Sequence, residues 1–287
     1  MELSPLGNNV VPSTRRIKSA PLSTPFPAAE GQHDSTYFLG VSALQNGDLP
    51  RAIALLGEAV RSNPDSADAH SVLGAAFGAS RRMSEALDCF QRALQLAPDT
   101  AVLLFNRANA LRGLGRHHEA LTDYEQALKL EPDHENAQRN RGLTLMALGR
   151  ASEALESFER ELRLRPDDAA CLNNCAYALL ELKRPAEALA SCERALAQQP
   201  AYVDAHYNRG NALSDLGRHH EALGAFDWVL TLDPNHVSAH RNRATALWAL
   251  NRPQEALESL ERVLQLSPTH VDALRSRAEL LQAMGRP

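Results

Sequence analysis

Proline recurs at Pro64, Pro98, Pro132, Pro166, Pro200, Pro234 and Pro268, one every thirty-four residues without slippage. A period of that length predicts an array of small units instead of one globular core. Each period has room for one helical hairpin, and a lone hairpin cannot bury its own apolar stripe, so neighbours must stack and share a core. The 287 residues therefore count repeats, and the expected architecture is all-α, an α-solenoid of helical hairpins built to present surface.

Taking the proline as position 32 divides the chain into seven tandem units, 33–66, 67–100, 101–134, 135–168, 169–202, 203–236 and 237–270, with a partial eighth unit or capping helix over 271–287. Position 8 is Gly40, Gly74, Ala108, Gly142, Ala176, Gly210 and Ala244, and position 20 is alanine throughout, from Ala52 to Ala256. Closely crossing helices need small side chains there, because the residues at the contact set the interaxial distance. Position 24 carries Leu56, Phe90, Tyr124, Phe158, Cys192, Phe226 and Leu260, expected to fill the space beside the crossing. Position 15 supplies Gly47, Gly115, Gly149, Gly217 and Gly285, suited to the left-handed end of a helix; Asn251 can do likewise, whereas Arg81 and Lys183 depart from the pattern. After each proline, Asp65, Asp99, Asp133, Asp167 and Asn235 are the expected N-caps of the next hairpin.

Residues 1–32 lack the period and hold Pro5, Pro12, Pro21, Pro25 and Pro27 among Ser, Thr and Asn, the composition of a disordered Pro/Ser-rich leader. Its few acids and Arg15, Arg16 and Lys18 also suit an organelle transit or bacterial export address. No stretch approaches the roughly eighteen apolar residues of a membrane helix. The net charge is −5 and basic residues are interleaved with acids, so neither a membrane nor a nucleic acid is the expected partner. Cys89, Cys171, Cys175 and Cys192 lack the paired spacing of a secreted scaffold, which points to a reducing, cytoplasmic setting. Cys175 and Cys192 fall at helix–helix contact positions, and buried thiols are the expectation rather than metal ligands.

Catalytic chemistry is missing from the pattern. His117-His118 and His219-His220 each precede a glutamate, but Thr122 and Gly224 stand where the second histidine of an HExxH zinc motif belongs. There is no phosphate loop, no dinucleotide fingerprint and no nucleophile placed with a base. The chain is expected not to be an enzyme and to need no cofactor or metal.

Small residues at 8 and 20, an aromatic at 24, Ala at 27 and Pro at 32 resemble the tetratricopeptide repeat family over residues 33–287. Ala93, Ala127 and Ala195 match position 27, while Glu161, Val229 and Val263 depart from it. The family's Trp at position 4 is replaced by His70, Leu104, Gln138, Leu172, His206 and His240. The resemblance implies a right-handed superhelix with first helices lining a concave wall.

On the first helix, positions 2, 5, 6, 9, 12 and 13 share the face opposite the packed small residues. Position 6 reads Phe38 and Val72, then Asn106, Asn140, Asn174, Asn208 and Asn242. A carboxamide pairs a donor with an acceptor, complementary to a peptide group, so a row of asparagines can read backbone without reading sequence. The row resembles the asparagine ladder in the repeat domain of protein O-linked N-acetylglucosamine transferases; the alternative is that these amides merely hydrate a solvent-facing helix. Candidate side-chain anchors on the same face are Phe105, Arg139, Tyr177, Tyr207, Arg241 and Trp248, with Arg275 beyond them. Arg107, Arg141, Arg209, Arg243 and Arg277 occupy position 7 in place of the family's usual leucine and are expected to pair with carboxylates near position 25. The family's dicarboxylate clamp is not matched, because Phe105 and Tyr207 stand where its lysine belongs. The expected function is a noncatalytic adaptor or scaffold that binds a partner protein segment in its groove. The alternative is the substrate-recruiting portion of an O-GlcNAc-transferase-like enzyme without its catalytic domain, and self-association through an end repeat is a third possibility.

Overall fold

The computed structural model describes residues 35–134 and 136–285, and all regular structure among them is α-helical. The expected leader lies outside the described residues. The chain divides into two compact units, one ending at Leu96 and the next beginning at Ala97. The first contains α1 (Ser35–Gln45), α2 (Leu49–Ser62), α3 (Ala67–Ala79) and α4 (Met83–Leu96). The second contains α5 (Ala101–Gly113), α6 (His117–Leu130), α7 (Ala137–Ala147), α8 (Ala151–Leu164), α9 (Ala169–Glu181), α10 (Pro185–Gln198), α11 (Val203–Asp215), α12 (His219–Leu232), α13 (Val237–Ala249), α14 (Pro253–Leu266) and α15 (Val271–Ala283). Within each unit, an odd helix packs against the even helix that follows it, and that even helix packs against the next odd one. In the second unit the odd helices also touch one another from α5 to α13, forming one wall of the stack.

Side-chain size sets the hairpin crossing. A Cβ added at Gly142 would lie 2.4 Å from the ring of Phe158, and one at Gly210 would lie 2.5 Å from Phe226. Gly74, Gly142 and Gly210 at position 8 thus face phenylalanine at position 24, whereas Ala176 and Ala244 share their core clusters with the smaller Cys192 and Leu260; Gly40 against Leu56 and Ala108 with Tyr124 depart from this match. The alanines at position 20 are fully buried in nearly every hairpin.

Helix ends follow the period more closely than the residue types do. Arg81, Lys183 and Asn251 take φ of 60°, 58° and 58°, the same left-handed region as Gly47 and Gly115 at 77° and 74°. Arg81 and Lys183 therefore keep the backbone that the glycines adopt elsewhere, at a steric cost of about 1 kcal/mol each. The N-caps sit one residue later than expected. Ser66 and Asp168 accept the backbone N–H groups of Ala69 and Cys171 at 3.2 and 2.9 Å, and His236 and His270 do the same through Nδ1. The turn after proline consumes position 33, so the extended residue that can cap is the next one. Asp65 and Asn235 instead accept from Arg92 and Arg262 on the following hairpin's second helix.

Second helices open on an arginine–glutamate pair three residues apart, as in Arg116–Glu119 and Arg218–Glu221 at 2.6 Å. These pairs hold the carboxylates below their usual pKa range through the guanidinium hydrogen bond, but in open solvent they add little stability. Cys171, Cys175 and Cys192 are buried in the core, and Cys89 is half-buried against it. Burial pushes Cys89 to about 11 and Cys192 to about 12, and a hydrogen bond with Cys175 raises Cys171.

His70, His206 and His240 place Nε2 at 2.9, 2.9 and 3.0 Å from the carbonyls of Pro64, Pro200 and Pro234. A carbonyl only accepts, so Nε2 carries the hydrogen and each ring ties its helix to the preceding turn. Burial lowers the pKa of His206 and His240 below the ordinary 6.5. The unfolded chain then binds more protons over that interval, so stability is complete above about pH 6.5 and falls as pH drops through the lowered values. The thermal midpoint should decline across this range. A His206→Leu/His240→Leu variant, patterned on Leu104 and Leu172 at the same position, should show a flatter decline by calorimetry.

One joint departs from the rest. Glu161, 1% exposed, fills position 27 where other hairpins hold alanine or valine. Its Oε1 accepts from Arg165, which also donates to Asn136 at 3.0 Å. Among the described residues, Glu161 Oε2 and Gln138 Oε1 are buried without a hydrogen-bond partner. Asn136 itself sits at φ 66°, and α7 has 11 residues where α5 and α9 have 13.

Candidate functional site

The five asparagines lie along α5, α7, α9, α11 and α13, the helices that form the wall of the second unit. Three reach back to the preceding hairpin. Asn140 Nδ2 donates to Asn109 Oδ1 at 2.8 Å, Asn208 Nδ2 to Asn173 Oδ1 at 2.9 Å, and Asn242 Nδ2 to Asn211 Oδ1 at 2.7 Å. Asn242 Nδ2 also lies 3.1 Å from the Tyr207 hydroxyl, and Tyr124 donates to Asn109 Oδ1 at 2.6 Å. Asn106 and Asn174 are half-buried and have no hydrogen-bond partner among the described residues. The row thus contains two kinds of amide, three that cross-link successive first helices and two that remain available.

The acceptors Asn109, Asn173 and Asn211 take no part in the expected ladder, although their spacing carried a signal. Each is an asparagine at position 5 or 9, one helical turn or less from position 6, in a hairpin followed by an asparagine at position 6.

The expected anchors separate in the same way. Trp248 is 44% exposed. Phe105 is half-buried, its ring 4.6 Å from that of His134 and 6.0 Å from that of Tyr124. Tyr177 is half-buried, and burial raises its pKa. Tyr207 differs from the expectation of a groove residue. It is 4% exposed and packs 5.0 Å from the His236 ring and 6.1 Å from Phe226, because the turn that carries His236 closes over this side chain. Arg139 donates to Asp168 at 3.2 Å and to Asn136 at 2.6 Å, which commits its guanidinium to the protein. Arg241 donates through Nε to Asn242 Oδ1 at 3.2 Å. The structure therefore links Tyr207, Arg241 and Asn242, and leaves Trp248 on the surface.

Three of the five position-7 arginines form structural pairs, whereas Arg209 and Arg277 make no ion pair among the described residues. Arg141 reaches Glu125 at 3.0 Å and Arg243 reaches Asp227 at 2.6 Å, both at position 25 of the preceding hairpin. Arg107 instead makes two 2.6 Å bonds to Asp123 of its own hairpin. Both histidine pairs open second helices, α6 and α12. Among the described residues no cluster has the composition of a metal site, and no helix is long and apolar enough to cross a membrane.

No curated protein matches the chain. Among solved structures it is similar to YrrB, described as a TPR protein with an unusual peptide-binding site, with 26% identity, coverage of 67% of this chain and 99% of that one, and a TM-score of 0.56. A tetratricopeptide repeat protein from Parabacteroides merdae ATCC 43184 is 19% identical, covering 86% of this chain and 97% of its own at a TM-score of 0.64. A chain of the APC/C hetero-tetramer Cut9–Hcn1 is 20% identical over 84% of this chain, which spans 48% of that one, with a TM-score of 0.68. The latter two share the fold. The family model of the tetratricopeptide repeat matches residues 37–101, 105–169, 140–203, 174–226 and 207–271. With the hairpin packing of glycine on phenylalanine described above, these matches establish that the chain belongs to the tetratricopeptide repeat family.

Proposed function

We propose that this protein is a noncatalytic adaptor whose second unit binds an extended segment of a partner protein along the wall from α5 to α13. The observation that carries the reading is the division of labour among the asparagines. Asn140, Asn208 and Asn242 brace neighbouring helices, which fixes the spacing of the wall before a ligand arrives. Asn106 and Asn174 keep a donor and an acceptor each for a peptide group. First helices lie about 9–10 Å apart, so these two amides are about 20 Å apart, or about six residues of extended chain. The similarity to YrrB, a protein with a peptide-binding site, supports a peptide occupant.

Peptides selected from a displayed random library should lose about fivefold in affinity on Asn106→Ala and again on Asn174→Ala, since each removes about 1 kcal/mol of hydrogen bonding. The loss should be similar for peptides of unrelated sequence, because the contact is to backbone. Fluorescence anisotropy checks this, and unchanged affinity in the double variant would overturn the reading. Incubation with a labelled sugar nucleotide and candidate acceptors should transfer no label.

A further inference from the structure

We infer that the first helices at the end of the stack, α13 and α15, receive an acidic stretch of the partner segment, whose carboxylates pair with Arg241 and Arg275 beside the exposed ring of Trp248. The inference rests on the proposed peptide-binding reading and names the chemistry of its ligand.

Many arginines of the second unit are consumed within the protein; among the described residues Arg112, Arg160, Arg163, Arg194, Arg209, Arg262 and Arg277 share with Arg241 and Arg275 the lack of an ion pair, and what sets Arg241 and Arg275 apart is their place at position 5 of successive first helices. Arg107, Arg139, Arg141 and Arg243 hold Asp123, Asp168, Glu125 and Asp227, and the arginines that open second helices hold glutamates. Among the described residues, no carboxylate lies within ion-pair distance of Arg241 or Arg275. Both occupy position 5, on successive first helices, so their stems leave these helices about 10 Å apart.

Arg241 is aimed as well as unpaired. Its Nε donates to Asn242 Oδ1, and Asn242 Nδ2 donates in turn to Asn211 and to the hydroxyl of buried Tyr207. This chain of bonds anchors the guanidinium to α11 and leaves its two terminal nitrogens without an acceptor among the described residues. The edge formed by the two terminal nitrogens can still match a carboxylate with two parallel bonds. A guanidinium held in place before binding loses little freedom when it pairs. Trp248 lies seven residues beyond Arg241 on the same helix face, about 10 Å along the axis, and offers an apolar surface next to the charged one. Asp272 and Glu279 flank Arg275 on α15, so the ligand's carboxylates must meet the guanidinium directly to gain from it. An extended chain spans the distance between the arginines in about three residues, which suits two acidic residues a few positions apart.

The test uses the full chain and random peptides displayed on phage. Peptides enriched by the wild type should be rich in Asp and Glu, and their synthetic counterparts should bind more weakly as salt rises. Arg241→Gln and Arg275→Gln should each weaken them about tenfold, as should replacing their acidic residues by Asn and Gln. Trp248→Ala should weaken the same peptides, and unchanged circular dichroism should show that the variants remain folded. Enriched peptides that are neutral, or affinities indifferent to both arginine substitutions, would overturn the inference. If such peptides still depend on Asn106 and Asn174, the peptide-binding reading stands without it. A library that yields no binders overturns both.

Discussion

Replacing Phe158 with alanine should lower the stability of the second unit by about 3–5 kcal/mol. The ring is fully buried and sits against Gly142, where even a methyl group would come within 2.4 Å. The complementary change, Gly142→Ala, should cost about 1–3 kcal/mol by overpacking. The two sites are in contact, so their costs should not add. Gly142→Ala combined with Phe158→Leu should be more stable than the sum of the single changes implies, because Ala244 and Leu260 show that alanine accommodates leucine in this geometry. Denaturant midpoints, read together with amide hydrogen exchange over α7 and α8, measure both the size and the location of the loss. Additive costs would show that the ring and the glycine do not share one space.

Glu161→Ala should have the opposite sign, raising stability by about 1–3 kcal/mol. A buried carboxylate oxygen without a donor costs free energy, and replacing buried charge with apolar packing is often neutral or stabilising. Arg165 has a side chain 36% exposed, so it stays solvated after the change and keeps its bond to Asn136. Alanine is also the residue found at this position in Ala127 and Ala195, both fully buried. A drop in the denaturation midpoint would show that the bonds to Arg165 outweigh the stranded oxygen.

Much of the fold is legible in the sequence because the period reports packing directly. Glycine or alanine at position 8 and a large side chain at position 24 are constraints within one hairpin, and they can be read from residue size alone. Arg81 and Lys183 look like exceptions only because their residue types hide a backbone conformation that the period already specifies. The caps sit one position late since residue preferences do not say how much chain a turn consumes. The wall is harder to read. Helical spacing groups the positions on its face, but the partner chosen by each polar atom depends on residues 31 or 35 positions away. Asn140 and Asn242 find an asparagine at position 9, Asn208 finds one at position 5, and Asn106 and Asn174 find none, although all five share one residue type and one register. Tyr207 has the spacing of a surface anchor and is nevertheless buried, because spacing gives a direction but not what later folds over it. Glu161 is visible as a departure, yet its burial depends on which neighbours close around it.

The match between small and large residues is completed inside most hairpins: Gly142 is answered by Phe158 and Ala244 by Leu260, while Gly40 against Leu56 and Ala108 with Tyr124 depart from it. Exchanging one helix between hairpins would set alanine against phenylalanine, whereas moving a whole hairpin carries its fit along with it. Deletion or duplication of entire thirty-four-residue blocks is therefore gentler than smaller edits, and reach along a ligand can be lengthened or shortened by recombination without redesigning any interior.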